Sequence, residues 1–352
     1  LGISFYTFQS ISYIIDVYQG KYSAEKNIFK YALFVSFFPQ ILQGPIGRYS
    51  RLAHQLYDSH KFESRNITRG LERILWGFFK KMILADWSAV FVDAIFDNPD
   101  QYGGLAIFGV LFYTIQLYAD FSGGMDVVIG IASMFGIELD ENFTRPFFAT
   151  SITDFWHRWH ISLSTWLRDY LYISLGGNRK GKFRTYVNLI LTMLLGGLWH
   201  GASWNFIVWG GLHGVALAVH KFFRSLLKRP KTYRSTGIRR FFAVLITFHF
   251  VCFCWIFFRN TTFEASLTMI RQIGTAFHPE VFVQLVTGYW KVFALMGVGY
   301  LLHWCPDRWQ DACGRLVVRT PLVGQALLLI ALIWLVIQVK SSDIQPFIYF
   351  QF

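Results

Sequence analysis

The chain is a succession of apolar segments parted by short polar ones. Candidate spanning segments lie near 2–18, 31–46, 74–97, 104–136, 185–199, 203–220, 240–258, 289–304 and 322–339, since a helix needs about 20 apolar residues to cross a bilayer. Several are short, which predicts broken or re-entrant helices. Basic residues gather at Arg48 to Arg73, Arg179 to Arg184 and Lys221 to Arg240, while Asp93, Asp97 and Asp100 form an acidic loop. Lys and Arg favour the cytoplasmic side, so one topology places the basic loops inside and makes 185–220 a hairpin with both ends cytoplasmic. Tyr186 to Trp199 extends about 21 Å at about 1.5 Å per residue, short of a hydrocarbon core of about 30 Å. His200 is therefore expected at membrane depth.

Between Glu138 and Lys182 the pattern turns amphipathic. With Asp154 as a helix cap, Phe155, Trp159, Leu163, Trp166 and Tyr170 share one face, and His157, His160, Ser164 and Arg168 recur on another. Such a helix can lie at the interface and dip inward. Gly176 and Gly177, followed by Asn178-Arg179-Lys180-Gly181-Lys182, supply C-cap glycines and cations to end it. No repeat of 20 to 50 residues and no low-complexity linker interrupts the chain. The pattern predicts an all-α, polytopic integral membrane protein with one domain over 1–352.

Composition agrees with that picture. Of 352 residues, 54% are hydrophobic, 19% aromatic and only 15% charged, against about 25% charged in ordinary soluble domains. The net charge of +12 must then concentrate in loops, where it would attract acidic lipid headgroups or a polyanionic donor such as coenzyme A; no nucleic-acid partner is expected. Cys252, Cys254, Cys305 and Cys313 lack metal-ligand spacing and disulfide density, and read as packing residues or free thiols. The chain opens at Leu1-Gly2-Ile3 with no initiator Met, basic n-region or cleavage site. A signal peptide is therefore not expected, whereas preceding spans are expected to be missing.

Chemistry centres on His160 and His200, ionisable groups in or beside apolar runs. At membrane depth such groups are costly and are usually functional. His200 sits in Gly196-Gly197-Leu198-Trp199-His200-Gly201, where glycines allow close helix approach and tryptophans exclude water. A neutral imidazole there can act as general base; the plainer reading is a histidine hydrogen-bonded between helices. His157 and His160 are spaced to share a metal, but no third ligand accompanies them except Asp154, so no metal is expected. Arg168, Asp169 and Tyr170 could orient a donor's phosphates or form a surface ion pair. Asp120, at an expected helical break before Ser122-Gly123-Gly124, and His213, on the hairpin's return helix, could line a polar tunnel with Trp199 or simply pack. Lys80 and Lys81 are expected to snorkel. No nucleophile elbow, P-loop or dinucleotide fingerprint is present, which leaves direct acyl transfer as the enzymatic reading. A transporter or scaffold, with the histidines relaying protons, is the rival from another class.

Several stretches together resemble one family. They are Gly2-Ile3-Ser4-Phe5-Tyr6-Thr7-Phe8-Gln9, Phe38-Pro39-Gln40, Gly44-Pro45-Ile46, Tyr118-Ala119-Asp120-Phe121-Ser122-Gly123, Asn142-Phe143 with Arg145-Pro146-Phe147, Asp154 to Tyr172, Gly197 to Trp204, and Pro346 to Phe352. They resemble the membrane-bound O-acyltransferases, particularly the bacterial branch that serves alginate O-acetylation and teichoic acid D-alanylation. The resemblance implies a helical bundle with re-entrant helices around a funnel or tunnel where donor and acceptor meet from opposite faces. It assigns catalysis to His200 with His160 as polar partner, while donor binding by Arg168, Asp169 and Tyr170 remains the reading of those side chains themselves. It further implies acetyl-CoA as donor, no bound cofactor, an exopolysaccharide such as alginate as acceptor, periplasmic acetyltransferase subunits as partners and the bacterial inner membrane as location. D-alanyl transfer from a carrier and peptidoglycan O-acetylation remain the enzymatic alternatives. His157 stands where that branch more often has Arg.

Overall fold

The computed structural model describes residues 3–41, 44–228, 230, 235–276, 278–306, 309, 312, 315–317 and 319–339. Gly2, Cys313 and the Pro346 to Phe352 stretch lie outside them. Among the described residues every regular element is helical. In chain order these are α1 (Ile3–Tyr18), α2 (Ile28–Val35), α3 (Tyr49–Tyr57), α4 (Ser64–Phe78), α5 (Asp86–Asp97), α6 (Pro99–Tyr102), α7 (Ala106–Met134), α8 (Ile152–Trp156), α9 (Ile161–Trp166), α10 (Gly181–His200), α11 (Trp204–Leu226), α12 (Gly237–Arg259), α13 (Phe263–Thr275), α14 (Phe282–Gly288), α15 (Trp290–Trp304) and α16 (Leu322–Val339). Short π-helical stretches, Phe79–Ala85 and Leu167–Tyr172, follow α4 and α9.

Among the described residues, three helical stretches are long and apolar enough to cross a membrane: Pro99–Met134, Trp204–Leu226 and Gly237–Arg259, with a fourth if Pro279–Gly288 and Trp290–Trp304 form one broken span. The protein is therefore a multi-pass membrane protein. The apolar run at 31–46 is not one span. Helix α2 stops at Val35, the Ser36 hydroxyl turns back to the Ala32 carbonyl at 2.7 Å, and Pro39 lacks the N–H that a continuing helix needs.

The chain divides into two compact units, one of Leu1–Ala89, Ile115–Asn142 and Lys291–Gln351, the other of Val90–Thr114 and Phe143–Trp290. The first has an apolar core of Tyr13, Phe34, Phe37, Leu52, Ala132 and Ile137. In it α4 crosses α7 at glycine contacts: a Cβ on Gly77 would lie 2.5 Å from the Gly123 carbonyl, and one on Gly123 2.7 Å from that of Gly77. Those glycines serve this close approach, and α7 runs unbroken through Asp120, contrary to the break expected there.

That approach brings charges together. Lys80 and Lys81 do not snorkel; their side chains are each 9% exposed. The π-helical turn inserts an extra residue per turn and aims both inward. Lys80 Nζ meets Asp126 at 2.5 Å and donates to Ser122 Oγ at 2.8 Å. Lys81 Nζ is shared between Asp120 at 2.5 Å and Asp86 at 2.9 Å. Arg73 extends the network to Asp126 at 3.0 Å and Glu141 at 2.6 Å. Buried charges persist where they are paired, and pairing here competes successfully with reaching water.

The second unit contains the expected hairpin of α10 and α11. Gly197 packs on the Phe206 carbonyl and Gly210 on that of Met193, leaving no room for a Cβ at either. Helix α10 starts at Gly181, five residues before the apolar count begins, because Lys182 and Arg184 continue it. Its 20 residues rise about 30 Å at about 1.5 Å each, so helix length alone does not place His200 within the bilayer. Asn205, at the start of α11, donates to the Asn260 carbonyl at 2.6 Å and accepts from Ser266 Oγ at 3.3 Å, fastening the hairpin to α12 and α13. Cys252, Cys254 and Cys305 are free thiols.

Candidate active site

The segment around His160 is not one helix. Ser151, not Asp154, caps α8: its hydroxyl accepts from the Asp154 amide at 3.2 Å, and α8 ends at Trp156. Asp154 instead accepts from the Thr150 amide at 2.9 Å and holds Arg158 Nε at 2.7 Å. The chain turns through His157 to His160, where His160 takes φ 46°, ψ 53°, and α9 begins after it. Residues other than glycine rarely adopt that left-handed region, Asn, Asp and His being the usual exceptions. His157, His160, Ser164 and Arg168 therefore do not share one continuous helical face, because the turn resets the rotation between α8 and α9. Thr144 N donates to the Arg158 carbonyl at 2.9 Å, so the stretch after Phe143 braces this turn from the side.

His160 is fully buried at 1% exposure, and His200, the last residue of α10, is partly buried. The rings that connect their surroundings run from Trp159, next to His160, to Trp255, and from Trp255 to Phe258 at 5.3 Å and Trp209 at 6.1 Å, the two rings that meet His200. Around them the second unit is an aromatic cage. The His200 ring stands edge-on to Trp209 at 5.2 Å between centroids and to Phe258 at 5.1 Å, with Trp199 at 4.7 Å. Trp159, adjacent to His160, packs on Phe143 at 4.9 Å and on Trp255 at 5.3 Å. His213 continues the cage: its ring is 5.0 Å from Trp209, and its Nδ1 accepts the Trp156 indole N–H at 3.3 Å. An indole nitrogen only donates, so Nδ1 is the bare nitrogen of His213 and the proton resides on Nε2.

The second unit thus assembles His160, His200, His213 and Trp199. Asp120 belongs to the first unit, in the ion pair with Lys81. Arg168, Asp169 and Tyr170 lie on the π-helical stretch after α9. Arg168 is exposed and its Nε pairs with Asp169 at 2.7 Å, while Tyr170 is buried against Trp166 at 5.2 Å. Among the described residues no group of three or more His, Cys, Asp or Glu side chains is arranged to hold a metal ion. Trp209, Trp255, Trp156 and Phe258 are cage residues that sequence reasoning passed over. Trp209 had one usable signal, since it precedes His213 by four positions and therefore shares its helix face.

Residues 23–263 match the model of the MBOAT, membrane-bound O-acyltransferase, family. The chain belongs to the membrane-bound O-acyltransferase family. It is 48% identical over 270 residues to the probable alginate O-acetylase AlgI of Azotobacter vinelandii, covering 76% of this chain and 52% of that protein. It is 41% identical over 298 residues to the peptidoglycan O-acetyltransferase of Helicobacter pylori, covering 77% and 56%. The teichoic acid D-alanyltransferase of Bacillus subtilis is 32% identical over 278 residues, covering 75% and 69%. The chain spans about half the length of the alginate O-acetylase relatives it matches (52% and 54%). The matched family region contains both histidines and every named residue of the aromatic cage.

Proposed function

We propose that this membrane-bound O-acyltransferase chain carries the centre that moves an acetyl group from acetyl-CoA, on the cytoplasmic side of a bacterial inner membrane, to a hydroxyl of an exopolysaccharide such as alginate. The observation that carries the reading is the single aromatic cage, Trp159 to Trp255 to Trp209 and Phe258, that joins the surroundings of buried His160 to those of His200. In the proposed step His200 takes the proton of the acceptor hydroxyl. The freed oxygen attacks the thioester carbonyl, the C–S bond breaks, and the thiolate leaves to collect a proton from the imidazolium. His160 orients the acceptor or polarises the carbonyl. With Lys182 and Arg184 in the headgroup zone, Tyr186 to His200 reaches about 22 Å inward at about 1.5 Å per residue. That depth would let a cytoplasmic donor meet a far-side acceptor. Arg168, oriented by Asp169 with Tyr170 packed against Trp166 beside them, and the basic loop at 179–184 hold the donor's phosphates, and periplasmic acetyltransferase subunits receive the product side.

The test is turnover of radiolabelled acetyl-CoA by the purified full-length protein in lipid, beside a His200→Ala variant that inserts normally. Histidine-dependent loss of thioester, with label passing to added polysaccharide or partner, is expected. Equal turnover by both proteins refutes the role of His200. Label that stays on its donor under every condition supports the transporter reading instead. Turnover that requires a carrier-bound D-alanyl thioester moves the chain toward the D-alanyltransferase relatives.

A further inference from the structure

Three buried donors in the cage have no hydrogen-bond partner. They are the indole nitrogens of Trp209 and Trp255 and Nε2 of His213, on residues 2%, 1% and 0% exposed. Trp209 stacks on Trp255 at 6.1 Å and meets His213 at 5.0 Å, so the three rings form one connected group. All three orphaned atoms are N–H donors, His213 by the tautomer that its bond from Trp156 imposes. A buried donor left unsatisfied is costly, and donors on rings in mutual contact suit an acceptor that comes from outside the chain. Trp209 also holds its ring edge-on to His200, which places this donor group beside the proposed general base.

We propose that Trp209, with Trp255 and His213 beside it, forms the donor set that binds the carbonyl oxygen of the acyl donor and holds the oxyanion formed on attack. The inference rests on the acyl-transfer reading above and names groups that touch the reacting atoms. A carbonyl oxygen carries only lone pairs, which is the complement of a donor-only cluster. As the acceptor oxygen bonds to the carbonyl carbon, the C=O π electrons move onto the carbonyl oxygen. The N–H groups stabilise the charge until the C–O double bond re-forms and the C–S bond breaks. Donors pre-aimed at a developing oxyanion, in a water-free site, are worth more in the transition state than in the ground state.

Trp209→Phe and Trp255→Phe keep an aromatic ring and delete the N–H, so they separate hydrogen bonding from packing. In the full-length protein in lipid, each is expected to lower kcat for acetyl-CoA about a hundredfold, the low end of losses seen when one oxyanion donor is removed, with KM nearly unchanged. A second readout is the infrared carbonyl stretch of 1-13C-acetyl-CoA bound to the non-reacting His200→Ala protein. It is expected to move to higher frequency when Trp209→Phe is added, a change that a packing role would not produce. Wild-type kcat in both Trp→Phe proteins, while His200→Ala is inactive, overturns this inference and leaves the acyl-transfer reading standing. Insensitivity of thioester turnover to His200→Ala would overturn the reading beneath it.

Discussion

Lys81 should be a more damaging position to neutralise than either of its carboxylates. Its ammonium serves two acids at once, Asp120 at 2.5 Å and Asp86 at 2.9 Å. Replacing it by Met, of similar volume, withdraws the shared cation from both and leaves carboxylates that are 1% and 10% exposed. Removing one partner of a buried pair typically costs about 3–5 kcal/mol, and here two acids lose the same partner, so the upper end is expected. Asp120→Asn is milder: Lys81 keeps Asp86, and the amide oxygen can still accept from the ammonium. The loss should approach one charge-assisted hydrogen bond, about 1.5–3 kcal/mol. The triple change Lys81→Met, Asp86→Asn, Asp120→Asn removes all three charges together and should cost less than the sum of the single changes, because partners in one network are coupled. The assay is the midpoint of unfolding in mixed detergent micelles, titrated with SDS and followed by circular dichroism. Equal destabilisation by Lys81→Met and Asp120→Asn, or strict additivity in the triple variant, would refute the shared-cation argument.

Other outcomes follow from the second unit. His160→Ala is expected to cost about 2–5 kcal/mol of stability, because it empties a ring-sized site at a residue 1% exposed. His160→Asn should fold normally, so its kcat measures the imidazole alone; unfolding of the Asn variant would contradict the backbone argument. If His160 and His200 act in one step, the double Ala variant should lose little more activity than the worse single one, and multiplicative losses in thioester turnover would show independent roles. Gly210→Ala drives a methyl into the Met193 carbonyl, and overpacking of this kind costs about 1–3 kcal/mol; an unchanged unfolding midpoint would mean that α10 and α11 separate freely. Asp154→Ala releases both the Thr150 amide and Arg158, and should lower kcat more than stability by loosening the turn that presents His160, as side-by-side turnover and unfolding measurements would reveal.

What the chain revealed before its structure, and what it withheld, divide along one physical line. The all-helical membrane architecture and the α10–α11 hairpin are written locally, in apolar run lengths and in the Gly-rich turn between two such runs. His160 and His200 were legible for a similar reason: an ionisable residue in an apolar run is conspicuous whatever it touches. The break at His157 to His160 was not, because a 3.6-residue periodicity continues undisturbed through a single left-handed residue, and Asp154 looks as good a cap as Ser151 until Arg158 is seen to occupy it. Lys80 and Lys81 were misjudged because snorkelling and burial differ only in whether acids arrive from Asp120 and Asp126, some forty positions away. Trp209 and Trp255 were hidden more deeply still. Among 13 tryptophans an indole that packs and an indole that offers its N–H to a ligand share the same letter and hydropathy. Only the absence of an acceptor around the buried nitrogen tells them apart. For this protein, then, the charged half of the chemistry announces itself in sequence, and the neutral donors that would shape its transition state do not.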